Sequence, residues 1–263
     1  VTNPKLATSN AWDGRTYRHP VSGDKVPSIT TVIGQLDKPA LVPWAAGLVA
    51  DAVLDDLDEW RRLAEEDRAQ TRRTLVALPR KRADEAATRG TSIHDWLQVA
   101  ADGGDVAAVE ADLSLEAKTF LPSAAAFLRQ WNPEYLHTER SVFGDGFAGT
   151  GDAWAYMPGI GLAVIDFKTG ADGRKLYPEI ALQLAALRFA DEMAMPDDTI
   201  IAPPAVECGV GVLIMPGSYR VHRVAADIRT YQVFRALLQV YHWRRREGLV
   251  GDEVFLPDDR LPF

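Results

Sequence analysis

Apolar and polar positions change rhythm once along this chain. From 41 to about 77, hydrophobic residues recur every three and four positions, which predicts helix with a break near Pro43. Pro79 interrupts that pattern, and a fresh helix is expected over 82–101 although Gly90 lies inside it. After the Asp102-Gly-Gly-Asp105 loop, residues 114–131 predict a further helix, closed by Asn132-Pro133. Beyond that point the period shortens. Residues 136–143, 151–156 and 162–168 read as short strands, separated by turns at 144–146 and 158–161, so an antiparallel meander is the simplest arrangement. A helix over 178–193, a hairpin over 209–215 and 219–224, and a last helix over 228–247 complete an α/β order. At the other end, residues 1–25 are polar and turn-rich, 15–18 fit a short strand, and 26–33 enter a helix with Ser28 or Thr30 as N-cap. Residues 1–80 are therefore expected to form a mostly helical N-terminal extension, and 81–263 the core.

Within the meander, Asp166-Phe167-Lys168 closes an apolar run that begins at Gly161. Side chains alternate along a strand, so Asp166 and Lys168 share one face while Ile165 and Phe167 take the other. A buried carboxylate is unfavourable unless paired or ligating. A plain ion pair with Lys168 is one answer. The other comes from Gly151-Asp152, fourteen residues upstream, which brings a second carboxylate from a neighbouring strand. Two carboxylates and a lysine at one point suit a divalent cation beside a scissile phosphate. Taken alone, Asp152 is an ordinary turn aspartate. Glu139, on the first strand of the meander, points either to the same place or to the surface. His94 lies on a helix lined by Ile93 and Leu97, and reaches a metal only if that helix packs beside the meander. Gln183 is the polar side chain in a mainly apolar helical stretch, placed either at solvent or at the phosphate and its attacking water, and Tyr177 lies near the start of that helix.

Composition narrows the class. Cys208 is the single cysteine of 263 residues, which excludes an internal disulfide and a four-cysteine iron–sulfur cluster. No apolar stretch is long enough for a bilayer and no signal-peptide pattern opens the chain, so a cytoplasmic protein without a membrane partner is expected. The net charge of −8 argues against an indiscriminately basic nucleic-acid binder, although local field outweighs the sum. Arg61-Arg62, Arg68, Arg72-Arg73, Arg80-Lys81-Arg82 and Arg89 concentrate positive charge ahead of the carboxylates, either as a phosphate-tracking surface or as solvated helix faces interleaved with acids. A Walker-type loop, Gly-x-Ser-x-Gly and His-Glu-x-x-His are all absent from the sequence.

Gly90 with His94, Glu139, Gly151-Asp152, Asp166-Phe167-Lys168 and Gln183, in that order and spacing, together with the early Val26-Pro-Ser-Ile-Thr-Thr-Val-Ile, resemble the RecB-like branch of the PD-(D/E)XK nuclease superfamily. The likeness runs over about residues 26–190 and is strongest to phage-encoded exonucleases related to RecE and the CRISPR-associated RecB-like enzymes. It implies a restriction-endonuclease-like core, a mixed central sheet flanked by helices, with Mg²⁺ or Mn²⁺ as cofactor and DNA as substrate. By that resemblance His94, Asp152, Asp166 and the Phe167 carbonyl would ligate metal, and Lys168 would position or activate water. Glu139 joins the catalytic group, and Gln183, Tyr177 and Arg89 would face DNA. Family members often carry tyrosine four residues after the glutamine, where this chain has Leu187. Three functions stay open: a DNA exonuclease in the bacterial host's cytoplasm, acting in phage recombination or repair with a single-strand annealing protein; a structure-specific endonuclease; or an inactive DNA-binding or docking module. Oligomeric state is not written in these motifs.

Overall fold

The computed structural model describes residues 5–10, 13–171 and 173–251. It is mixed α/β. The chain opens with a three-stranded antiparallel sheet of β1 (Ala7–Asn10), β2 (Gly14–Arg18) and β3 (Lys25–Pro27). It then enters α1 (Ile29–Ile33), where Ser28 is the N-cap and its Oγ accepts the Thr31 N–H at 2.9 Å. Tyr17 of β2 packs against Phe143 and Ala148, while Ile29, Val32 and Ile33 enter the main core.

Three helices follow: α2 (Leu41–Asp55), α3 (Leu57–Glu66) and α4 (Arg68–Ala101). Asp56 and Asp67 separate them, each accepting a backbone N–H of the next first turn. Pro43 lies inside α2, so the break expected there falls instead at Asp56. The interruption expected at Pro79 is likewise absent, because α4 runs through it for 34 residues. Residues 72–74, 76 and 77 are exposed, so water is at hand for the carbonyl that Pro79 cannot pair. Gly90 is also helical, and the boundary expected at residue 80 falls inside this one helix. Neither α2 nor α3 contains a buried residue.

After α5 (Val106–Asp112), the single helix expected over 114–131 is two: α6 (Leu115–Lys118) and α7 (Leu121–Trp131). Pro122 causes the division, since it lacks the N–H to continue α6 and suits the first turn of α7. Asn132 ends α7 in the left-handed region at φ 40°, ahead of Pro133.

The meander forms as expected and is longer: β4 (Glu134–Gly144), β5 (Phe147–Met157) and β6 (Gly161–Thr169), antiparallel in sequence. Then come α8 (Glu179–Arg188), β7 (Glu192–Ala194), β8 (Ile200–Ile201), β9 (Cys208–Met215), β10 (Ser218–Val224) and α9 (Ile228–Trp243). The expected helix over 178–193 stops early because Met193 is fully buried opposite Val142 as part of β7. Order across the seven-stranded sheet is β10-β9-β6-β5-β4-β7-β8, with β9 parallel to β6. One face carries α1, α8 and α9 over Phe147, Trp154 and Val164. The other carries α4 and α7 over Ala153, Ile165, Phe167 and Val212. Strand alternation thus separates Val164 from Ile165, and sends Asp166 toward α8 and Phe167 toward α4 and α7. No helix among the described residues is long and apolar enough to cross a membrane.

Candidate metal centre

The site forms where β5 and β6 part. Their pairing ends at Ala153 opposite Ile165. One residue further, Asp152 fills the gap: its Oδ2 accepts the Phe167 N–H at 2.7 Å, standing in for a ladder carbonyl. Glu139 occupies the facing stretch of β4, between Thr138 opposite Ala153 and Arg140 opposite Gly151. Its φ is 48°, a left-handed conformation in the middle of a strand. α4 supplies His94, whose Nδ1 lies 3.5 Å from Asp152 Oδ2 and whose ring meets Phe167 edge-on. Two details set that helix at this height. A Cβ on Gly90 would lie 3.3 Å from Thr169 Oγ1, so glycine permits the close approach to the end of β6. At the other end Thr138 donates to Asp102, the C-cap of α4, at 2.9 Å.

One donor atom each from His94, Glu139 and Asp152 lie within 4.8 Å of one another. Three ligands at about 2.1 Å from one ion are at most ~4.2 Å apart, so a small contraction would close the set. One imidazole and two carboxylates make a mostly hard donor set in which the nitrogen favours Mn²⁺ over Mg²⁺. These residues fit a divalent ion.

Asp166 is 1% exposed and stands outside that group. Its Oδ1 accepts both Lys168 Nζ and Gln183 Nε2, each at 2.7 Å. Its Oδ2 lies 2.5 Å from Nζ but has no hydrogen-bond partner. The ligand set expected from the sequence is thus divided. Asp166 joins Lys168 because the two share a face two residues apart in a poorly solvated place, and Glu139 stands with His94 and Asp152 instead. Phe167 contributes its N–H to Asp152. Gln183, expected to meet water or phosphate, orients Asp166.

The charges are strongly coupled. Burial pulls His94 down, but the attraction of Asp152 outweighs it and the net pKa is raised. Burial pushes Asp152 up, yet His94, Lys168 and the Phe167 N–H hold it below the usual carboxylate range. Asp166 is raised by burial against the pull of Lys168. Lys168 is raised despite burial, because both aspartates favour its charge. Glu139 rises to about 8, first through burial and then through repulsion from Asp152.

Two further residues expected to face DNA, Arg89 and Tyr177, stand apart from the His94, Glu139 and Asp152 group. Arg89 is ion-paired to Glu116 at 2.5 Å and sits over Phe120, so its guanidinium has protein partners. Tyr177 is 62% exposed, beneath the Arg174 guanidinium. Tyr135 lines the same cavity as His94, Glu139 and Asp152, and sequence reasoning missed it. Its approach depends on a bulge in β4 between Tyr135 and His137, which no local pattern announces.

No family model and no curated protein matches the chain. Among solved structures, the "Crystal structure of SSO0001" is similar over 55% of this chain and 67% of its own, at 16% identity and a TM-score of 0.31. A likeness that low carries no weight for fold or function.

Proposed function

We propose that the chain is a divalent-metal-dependent deoxyribonuclease with a PD-(D/E)XK core of the RecB-like kind, degrading DNA from its ends. One observation carries this: His94, Glu139 and Asp152 cluster where β5 and β6 separate, with the Asp166–Lys168 pair on the adjoining strand. A bound Mn²⁺ or Mg²⁺ would supply Lewis-acid charge opposite the phosphoryl oxygens. The protein's own groups do the rest. Lys168 is 40% exposed, so its ammonium would reach a phosphate while Asp166, itself oriented by Gln183, holds it in place. There it stabilises charge growing on a non-bridging oxygen. End-directed hydrolysis would suit phage recombination or repair beside a single-strand annealing protein.

The test is cleavage of end-labelled linear duplex, single strand and closed circles with Mn²⁺ or Mg²⁺. Linear DNA should be degraded and circles spared. Asp166→Ala should retain its fold by circular dichroism and lose about 10³-fold or more in rate, by analogy with loss of one essential charged group. Nicked or opened circles would convert the assignment to an endonuclease. Intact DNA under every condition would end the nuclease reading.

A further inference from the structure

We infer that the Tyr135 hydroxyl is a positioning group for the metal centre, acting on Glu139 through one buried water. The inference rests on taking His94, Glu139 and Asp152 as the ligand set. Tyr135 stands just before the β4 bulge and lines the cavity that those three side chains share. Its hydroxyl is buried and has no hydrogen-bond partner. An unmatched buried hydroxyl costs about 1–3 kcal/mol, so a partner is expected within reach.

The cavity narrows the choice of partner. Leu97, Ala101, Ala153 and Phe167 present apolar side chains to it, and the Thr138 hydroxyl already donates to Asp102. Asp152 Oδ2 is taken by the Phe167 N–H and approached by His94. Of the acceptors that remain, Glu139 shares β4 with Tyr135, whereas Gln98 belongs to α4 and Asp152 to β5. The free volume is about 10 Å³, which is room for one water. That water accepts from the phenol and donates to the Glu139 carboxylate. Burial pushes the Tyr135 pKa upward, so the phenol remains a donor over the working range. The arrangement matters because Glu139 projects from a left-handed residue, so the rotamers of an ordinary strand position do not aim it.

Calorimetric titration with MnCl₂, alongside thermal melts, tests this on the intact chain. Tyr135→Phe removes one oxygen and keeps the ring. Its Mn²⁺ affinity should fall about tenfold, the usual effect of losing a group that orients a ligand, with its fold intact by circular dichroism. In the Glu139→Gln background the same change should have little further effect. If Tyr135→Phe binds Mn²⁺ like the wild type and melts at the same temperature or higher, the hydroxyl orients nothing and the inference fails alone. If the wild type itself takes up no Mn²⁺, the ligand set fails and this inference goes with it. A crystal structure provides the second check: no solvent peak between the Tyr135 hydroxyl and Glu139 would also overturn it.

Discussion

Glu139 combines a left-handed backbone, partial burial and a neighbouring carboxylate, each of which is unfavourable for a strand glutamate. That combination gives it a measurable signature. Between the ordinary 4.5 and about 8 the folded chain keeps a proton on Glu139 that the unfolded chain releases. Its contribution to stability is therefore complete below 4.5 and lost as pH rises through 8. A bound cation requires the ionised form, so metal stabilisation should grow over the same interval. In EDTA the melting temperature should drop more steeply from pH 5 to 9 in the wild type than in Glu139→Gln. With Mn²⁺ the wild type should gain increasingly toward pH 9, and Glu139→Gln much less. Parallel curves for the two proteins in EDTA would show that Glu139 is not the proton carrier. Residue types at this centre were legible: acid and base two apart at the end of an apolar strand required a partner, and alternation placed both on one face. The Asp166–Lys168 pair was one of the two readings offered, but which carboxylates would face His94 was not legible, because that depends on where β5 and β6 part.

At the scale of elements, the hydrophobic rhythm located the meander and α9 but misjudged α4. Proline was expected to break a helix that in fact runs from Arg68 to Ala101, whereas Gly90 lies inside it as read. Solvent is available around Pro79, and Gly90 is held against Thr169. The division of α6 from α7 could have been read from Pro122. Met193 could not, since only its burial opposite Val142 makes it strand. Gly90 then separates stability from function. Alanine would favour the helix by about 1 kcal/mol. It would also place a Cβ 3.3 Å from Thr169 Oγ1, so α4 or Thr169 must yield by a few tenths of an ångström. Since His94 is one turn along the same helix, Gly90→Ala should keep its melting temperature within a few degrees while Mn²⁺ affinity drops several-fold. An unchanged affinity would mean that the helix height does not govern the centre.

For the molecule as a whole, the proposed nuclease reading makes the sum of charges set how DNA would be held. A chain of net charge −8 repels polyanions at long range, and the arginine-rich stretch ahead of the site is partly interleaved with acids. Arg62 is paired with Glu59 and Glu66, Arg61 with Asp58, Arg80 with Asp84, Arg82 with Glu85 and Arg89 with Glu116. Most of these are exposed pairs at helical spacing, of the kind that contribute little to stability, yet they interleave acids through the basic stretch. Within 61–89 five of the nine cations are paired with acids, and Arg68, Arg72, Arg73 and Lys81 stand outside those pairs. On the proposed reading, Lys168 and a bound cation would be the positive charges nearest a strand entering the site. Each phosphate neutralised contributes about −0.9 to the slope of log affinity against log salt for duplex DNA. With few such contacts, the slope should be about −3 or shallower, and binding should depend on divalent metal. Fluorescence anisotropy with Asp166→Ala, in which the DNA survives, measures both. A slope of about −6 or steeper, unchanged by EDTA, would relocate recognition to an extended basic surface and leave the metal centre with chemistry alone.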